Sequence, residues 1–137
     1  MNKLYIPGDL VYFGGEKAKV ELYNPSSDDS VWVRVIENGG ENRIWNASLK
    51  YEISPIPITP SILEKNGWVK DTHLHYLDEM PAESYEKKYF PLTYFNVTFG
   101  KKRIQASYDC LFVRNLKYVS DLQHLLFGLG LNSEMEM

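Results

Sequence analysis

Tyr94-Phe95-Asn96-Val97-Thr98-Phe99-Gly100-Lys101-Lys102-Arg103-Ile104-Gln105-Ala106-Ser107-Tyr108 is the stretch on which the fold turns. Phe95, Val97 and Phe99 alternate with Tyr94, Asn96 and Thr98. Ile104, Ala106 and Tyr108 alternate with Arg103, Gln105 and Ser107. A period of two marks a strand with one buried face. Glycine between the two runs favours a tight turn, and Gly100-Lys101 is expected to form it. The pattern predicts an antiparallel hairpin whose apolar face covers a core. Tyr94, Asn96, Arg103, Gln105 and Ser107 then share the polar face.

The chain before this hairpin also reads as strands. Leu10-Val11-Tyr12-Phe13 ends at Gly14-Gly15, and Ala18, Val20 and Leu22 alternate with charged residues. Val31, Val33 and Val35 alternate with Trp32, Arg34 and Ile36. Polar loops are expected at 24–30 and 38–42, a short run around Arg43-Ile44-Trp45, and a closing run from Leu49 to Ile53. Short strands joined by Gly-rich turns suggest a small antiparallel barrel. The opening Pro7-Gly8-Asp9-Leu10-Val11, with its return after a glycine, resembles the first hairpin of SH3-like barrels.

Ser54-Pro55-Ile56-Pro57-Ile58-Thr59-Pro60 is the clearest boundary, because its prolines cannot donate to a ladder and hold the chain extended. Thr59 and Pro60 read as N-cap and first residue of a helix over Pro60 to Lys65, with Asn66-Gly67 as its stop and Ile62 and Leu63 buried. A strand carrying His73 and His75 follows. Asp78 to Lys88 is polar, contains Pro81, and reads as a loop. A final helix is expected from about Tyr118 to Leu129. Ser120 to Gln123 fits a capping box, and Leu116, Val119, Leu122, Leu126 and Leu129 form the buried stripe. The fold class is therefore α+β. Residues 1–57 form an SH3-like small barrel, 58–131 an α+β subdomain packed against it, and 132–137 a loose tail. Each half alone is near the lower size limit for an independent core.

Two stretches resemble a known family. Ile53-Ser-Pro-Ile-Pro-Ile-Thr-Pro-Ser-Ile-Leu-Glu-Lys-Asn-Gly-Trp68 is similar to an I-x-P-I-P-L-T-x-x-x-L-x-x-x-G-F signature. Leu116-Lys-Tyr-Val-Ser-Asp-Leu-Gln-His-Leu-Leu-Phe-Gly-Leu129 is similar to an [IV]-x-Y-V-H-x-L-Q-[HN]-L-x-F-A-L signature. Together they look like a family of small uncharacterised proteins from prophages and mobile elements of gut bacteria. Ser120 stands where that family usually has histidine, Gly128 where it has alanine, and Gly130 where it has threonine. The resemblance implies an accessory gene acting in a bacterial host, with host takeover or counter-defence as its setting. It brings no activity, cofactor or catalytic residue.

Composition narrows the function classes. The chain has 137 residues, 15 basic against 18 acidic, for a net charge of −3. It is too apolar for disorder. One cysteine excludes a disulfide scaffold and a Cys-rich zinc module. No apolar run reaches the roughly 18–20 residues that span a bilayer. The start lacks the apolar core of a signal peptide, so a cytoplasmic setting is expected, with no membrane partner.

The chemistry-bearing residues are sparse. His73 and His75 share a strand face near Asp71 and Asp78, a set of metal-ligand type, but no third ligand has diagnostic spacing. Cys110 and His124 lack an orienting partner, and Cys110 reads as core. No Gly-rich phosphate loop occurs. No catalytic residue, cofactor or metal is expected.

One segment stands apart. Residues 87–117 hold seven basic side chains and one acidic, a local charge of +6, interleaved with aromatics. Basic side chains attract phosphate and exposed rings stack on bases. Lys87, Lys88, Tyr94, Asn96, Lys101, Lys102, Arg103, Gln105 and Arg114 are therefore a candidate binding surface. Trp32, Trp45 and Tyr51 are candidate anchors for a protein partner, since such rings dominate interfaces. The leading expectation is a non-enzymatic accessory protein that binds a macromolecule, foremost a protein. The alternative is binding or sequestration of nucleic acid or a nucleotide through 87–117.

Overall fold

A computed structural model describes residues 5–23, 29–36, 44–49, 51–89, 93–108 and 111–136. The expectations for residues 24–28 of the first loop, the turn at 38–42 and Cys110 lie outside the described residues. The architecture is α+β, built from antiparallel sheets and two helices. The chain divides into two compact units. One holds residues 1–57, 118–135 and 137, the other 58–117 and 136. The C-terminal helix, read from sequence with the second half, thus groups with the first.

In the first unit, β1 (Leu10–Phe13), β2 (Glu16–Tyr23), β3 (Ser30–Val35), β4 (Ile44–Ser48) and β5 (Ile53–Pro55) form an open sheet of order β4-β3-β2-β1-β5. Pro7 and Gly8 occupy the centre of the turn that opens it. Asp9 N–H donates to Ile6 O at 3.0 Å, and Gly8 has φ 97°. That is a type II turn, with proline and glycine where each is favoured. Gly14 and Gly15 both have positive φ, as the two-residue β1–β2 turn requires. Tyr5, Val11, Ala18, Val20, Val31, Val33, Ala47 and Ile53 form its core.

The last helix, α2 (Val119–Gly128), lies against β1. Its start is set by Asp121, whose Oδ2 accepts the Tyr118 N–H at 2.8 Å. The N-cap is therefore Tyr118, two residues earlier than the expected box at Ser120. Val119, Leu122, Leu125 and Leu126 are buried, as the leucine stripe implies, whereas Leu129 is exposed. Backbone pairing marks where the chain leaves this unit and returns. Pro57 bridges Tyr118, and Val119 N–H donates to Ile56 O at 2.8 Å.

The second unit begins with α1 (Pro60–Lys65). Thr59 Oγ1 accepts the Ile62 N–H at 3.3 Å, and Gly67 takes φ 85° past the helix end. Leu63 is buried and Ile62 half-buried. Then come β6 (Val69–Lys70), β7 (His75–Leu77), β8 (Met80–Tyr89), β9 (Thr93–Phe99), β10 (Ile104–Tyr108) and β11 (Leu111–Leu116), with sheet order β11-β10-β9-β8-β6 and β7 beside β8. The hairpin read from sequence is β9–β10, with Phe95 opposite Tyr108 and Val97 opposite Ala106. Its turn is Lys101-Lys102, flanked by Gly100 N–H donating to Arg103 O at 2.9 Å. The glycine's role is proximity: a Cβ there would meet Leu77 Cδ2 at 2.7 Å.

The expected loop at 78–88 is only a tight turn at Asp78 and Glu79, with φ 54° and 64°, and Met80–Tyr89 is the longest strand among the described residues. Pro81 is tolerated there because β9 pairs β8 only from Glu83 onward, so that Pro81 has a partner strand, β7, on one side alone. The core of this unit is aromatic. Trp68 meets Phe95 edge-on at 6.0 Å between centroids, Phe95 meets Tyr108 at 5.5 Å, and Tyr85 meets Phe99 at 5.8 Å. Such edge-to-face pairs add to the burial of the rings.

Candidate interaction surfaces

Strand register decides where each candidate residue points, because directly opposed residues share a face. In the first unit Val33 opposes Trp45, and Val31 opposes Ala47. Trp45 therefore lies on the core face, at its rim, 43% exposed. Trp32 opposes Leu22 and Asn46, on the other face, with the Arg34–Glu21 ion pair at 2.6 Å. The three candidate aromatics do not form one surface.

Two of them share an end of the sheet. Trp45 packs on Phe13 at 6.3 Å between ring centroids, although β2 and β3 separate their strands. Three strand spacings are roughly 14 Å in a flat sheet, so the sheet curls. Between β4 and β5, Glu52 closes a turn on Ser48. Glu52 N–H donates to Ser48 O at 3.0 Å, while Glu52 Oε1 accepts the Ser48 N–H at 3.0 Å. Gly14 N–H donates to Glu52 O at 3.2 Å, which sets this turn beside the end of β1. Tyr51, on the same turn, is 81% exposed. Phe13, Trp45 and Tyr51 thus come from three segments that meet at one rim.

In the second unit the register divides the basic residues. Lys88 opposes Tyr94, Glu86 opposes Asn96, and Asn96 opposes Ser107 while Thr98 opposes Gln105. Lys88, Tyr94, Asn96 and Gln105 therefore share the polar face. Lys87 opposes Phe95 on the apolar face. Its Nζ donates to Asn66 O at 2.8 Å, at the end of α1, and sits 5.5 Å from the Tyr89 ring centre. Burial holds its pKa below the ordinary lysine value. Arg114 opposes the buried Ala106, on that same side. Arg103 is held by Asp78 through bonds of 3.0 and 2.9 Å, and donates to Asn115 Oδ1 at 2.9 Å. Lys101 and Lys102 are exposed at the turn. Tyr89, Phe95, Phe99 and Tyr108 are committed to the aromatic core, which accounts for much of the ring content of this segment.

Sequence reasoning left open whether the two histidines of β7 and its approach meet a carboxylate. They meet Asp71. Its Oδ1 accepts the His73 N–H at 2.9 Å and lies 2.7 Å from His73 Nδ1, and its Oδ2 lies 2.7 Å from His75 Nε2. These donors, led by the His73 backbone N–H, pull the Asp71 pKa down to about 2. A cleft of about 470 Å³ opens here, between residues 70–75 and Ala82-Glu83. Among the described residues, no group of three or more His, Cys, Asp or Glu is arranged to hold a metal ion.

A buried acid escaped the sequence reading. Asp9 is 1% exposed, and its Oδ2 accepts the Ile6 N–H at 2.9 Å and faces His124 Nε2 at 2.5 Å. Burial raises its pKa, against the pull of the Ile6 and His124 bonds. The signal available in sequence was Gln123-His124 on the buried side of the leucine stripe. Among the described residues no helix is long and apolar enough to cross a membrane. Compared with protein-family models, curated proteins and solved structures, the chain matches none, so its function is argued from these surfaces alone.

Proposed function

We propose that the protein is a non-enzymatic binding module that engages a protein partner through the aromatic rim of its first unit. The observation that carries this reading is the exposed Trp45, packed on Phe13 with Tyr51 on the adjoining turn. Aromatic side chains anchored on a framework supply large contact area at little entropic cost, and they dominate binding hot spots. Strand order β4-β3-β2-β1-β5, the curl that brings Phe13 to Trp45 and the Ser48–Glu52 turn before β5 support reading this unit as an SH3-like barrel. The two sequence signatures that resemble prophage proteins make a bacterial host protein the partner of choice.

The nucleic-acid reading has narrower support. Lys88, Tyr94, Asn96 and Gln105 share a face, but Glu86 lies among them, and Lys87, Arg103 and Arg114 are directed or bound elsewhere. Affinity capture from host lysate, with and without nuclease, separates the readings. Protein binding predicts a captured partner that survives nuclease, is lost with Tyr51→Ala and Trp45→Ala, and persists with Lys101 and Lys102 both changed to Glu. Capture that depends on nucleic acid, or ignores the aromatic variants, overturns the proposal.

A further inference from the structure

The edge of β8 is paired by two short strands that are out of step. Lys70 opposes Tyr85 in β6, but His75 opposes Ala82 in β7. Residues 71–74 therefore face only Glu83 and Ser84, and the extra chain bulges outward. Bulges at sheet edges re-aim side chains and occur beside binding sites. Here the bulge is tied back by Asp71, whose N–H donates to Ser84 O at 2.8 Å and whose carboxylate takes the three donors described above. The Asp71 side chain is only 10% exposed, whereas that of His73 is 87% exposed.

The bonding state of each group determines what the cleft can offer. Both Asp71 oxygens are engaged, and Glu83 Oε1 holds Lys70 Nζ at 3.2 Å. One nitrogen of each imidazole faces Asp71, which leaves the second nitrogen of His73 and of His75 for a ligand. Lys70 keeps further N–H donors, and Thr72 a hydroxyl. In the imidazolium form the uncommitted capacity is dominated by donors, with Leu74 and Ala82 as an apolar wall. The volume is within the range of small-molecule sites.

We infer that this cleft binds a small molecule through a phosphate-type tetrahedral anion, held by His73 and Lys70, and that protonation of the His73 imidazole gates the binding. The groups that face His73 are Lys70 from β6, Asp71 and His75 from the bulge and β7, and Glu83 and Glu86 from β8. Loss of the His73 proton makes this set one charge more negative, which repels an anion. The Asp71 carboxylate, first through its bond to Nδ1, raises the His73 pKa above its ordinary value, so the gate closes on the alkaline side of that value.

Sulfate tests the site, because its charge does not change near neutrality. The full chain is titrated with sodium sulfate against sodium chloride at matched ionic strength, following backbone and imidazole nitrogen resonances. At about pH 5, more than a unit below the ordinary imidazole value, shifts are expected at residues 70–75 and 82–83. At about pH 9, well above that value, the affinity is expected to fall at least tenfold. His73→Gln abolishes the response, Lys70→Met weakens it severalfold, and Asp71→Asn moves the gate to lower pH. An unaltered amide spectrum elsewhere shows that each variant is folded. Adenosine monophosphate in place of sulfate is expected to give the same shifts and additional ones at Leu74. A response no larger than that to chloride, one independent of pH, or one retained in His73→Gln overturns the proposal. So does an equal response to acetate, or a response to zinc in its place.

Discussion

His124 reaches Asp9 across 115 positions of sequence, its Nε2 lying 2.5 Å from the buried carboxylate. The contact fastens α2 to the turn that starts β1. The neighbouring Gln123 reinforces it, with Oε1 accepting the Leu10 N–H at 2.9 Å and Nε2 donating to Gly8 O at 2.9 Å. Together they hold a helix that enters this unit only after the whole second unit has been threaded.

Removing the imidazole leaves Asp9 buried with the Ile6 N–H as its remaining described donor. His124→Ala is expected to cost about 2 kcal/mol, the scale of a buried acceptor that loses its partner. Asp9→Asn in that background recovers part of the loss, because a neutral amide is easier to bury than a carboxylate. Urea unfolding of the four members of this cycle at neutral pH measures both. Equal stability of His124→Ala and the parent would show that the pair holds nothing.

Gln123 satisfies three backbone groups at once, since its Nε2 also donates to Ser133 O at 3.2 Å. Gln123→Leu keeps the volume and removes all three bonds, so it is expected to destabilise by about 2 kcal/mol. Amide exchange at Leu10 should accelerate with it; unchanged protection there contradicts the assignment.

Asp71 provides the pH prediction. Its folded pKa, about 2, lies below the ordinary 3.8. A depressed carboxylate contributes stability that is fully present above its unfolded value and is lost as pH falls through the folded one. The stability difference between the parent and Asp71→Asn should therefore be greatest between about pH 5 and about pH 6, shrink toward about pH 2, and shrink again on the alkaline side of the ordinary imidazole value, where His73 loses the proton that Asp71 favours. A difference that grows as acidification proceeds below about pH 5 reverses the sign and refutes the account.

Gly100 sits where Leu77 leaves no room for a methyl group. Gly100→Ala is expected to cost about 1–3 kcal/mol by overpacking. Leu77→Ala, itself destabilising, should lose less further stability when Gly100→Ala is added than the parent does. Strict additivity of the two changes by thermal unfolding would place the strain elsewhere.

What was legible in the sequence depended on how local the signal was. The helix over Pro60–Lys65 was readable residue by residue, since its cap, first proline and terminal glycine are all contiguous. The β9–β10 faces were readable because period two needs no partner. The long β8 was missed because its apolar face includes Lys87, whose amine reaches the end of α1, and because Pro81 suggested a loop. Local charge summation over 87–117 also misled: alternation sends Lys87 and Lys88 to opposite faces, and Asp78, outside the window, binds Arg103. The meeting of Phe13 with Trp45, and of Asp9 with His124, depends on sheet curl and long-range return of the chain. No spacing rule encodes either.

Site-specific photo-crosslinking tests the binding claim most directly. A benzophenone amino acid replaces Tyr51 on the aromatic rim in one protein and Tyr94 on the polar face in another, and each is irradiated in host cells. The account predicts a discrete protease-sensitive, nuclease-resistant adduct from position 51 and none from position 94. An adduct from position 94 that nuclease digests, with none from position 51, would contradict it.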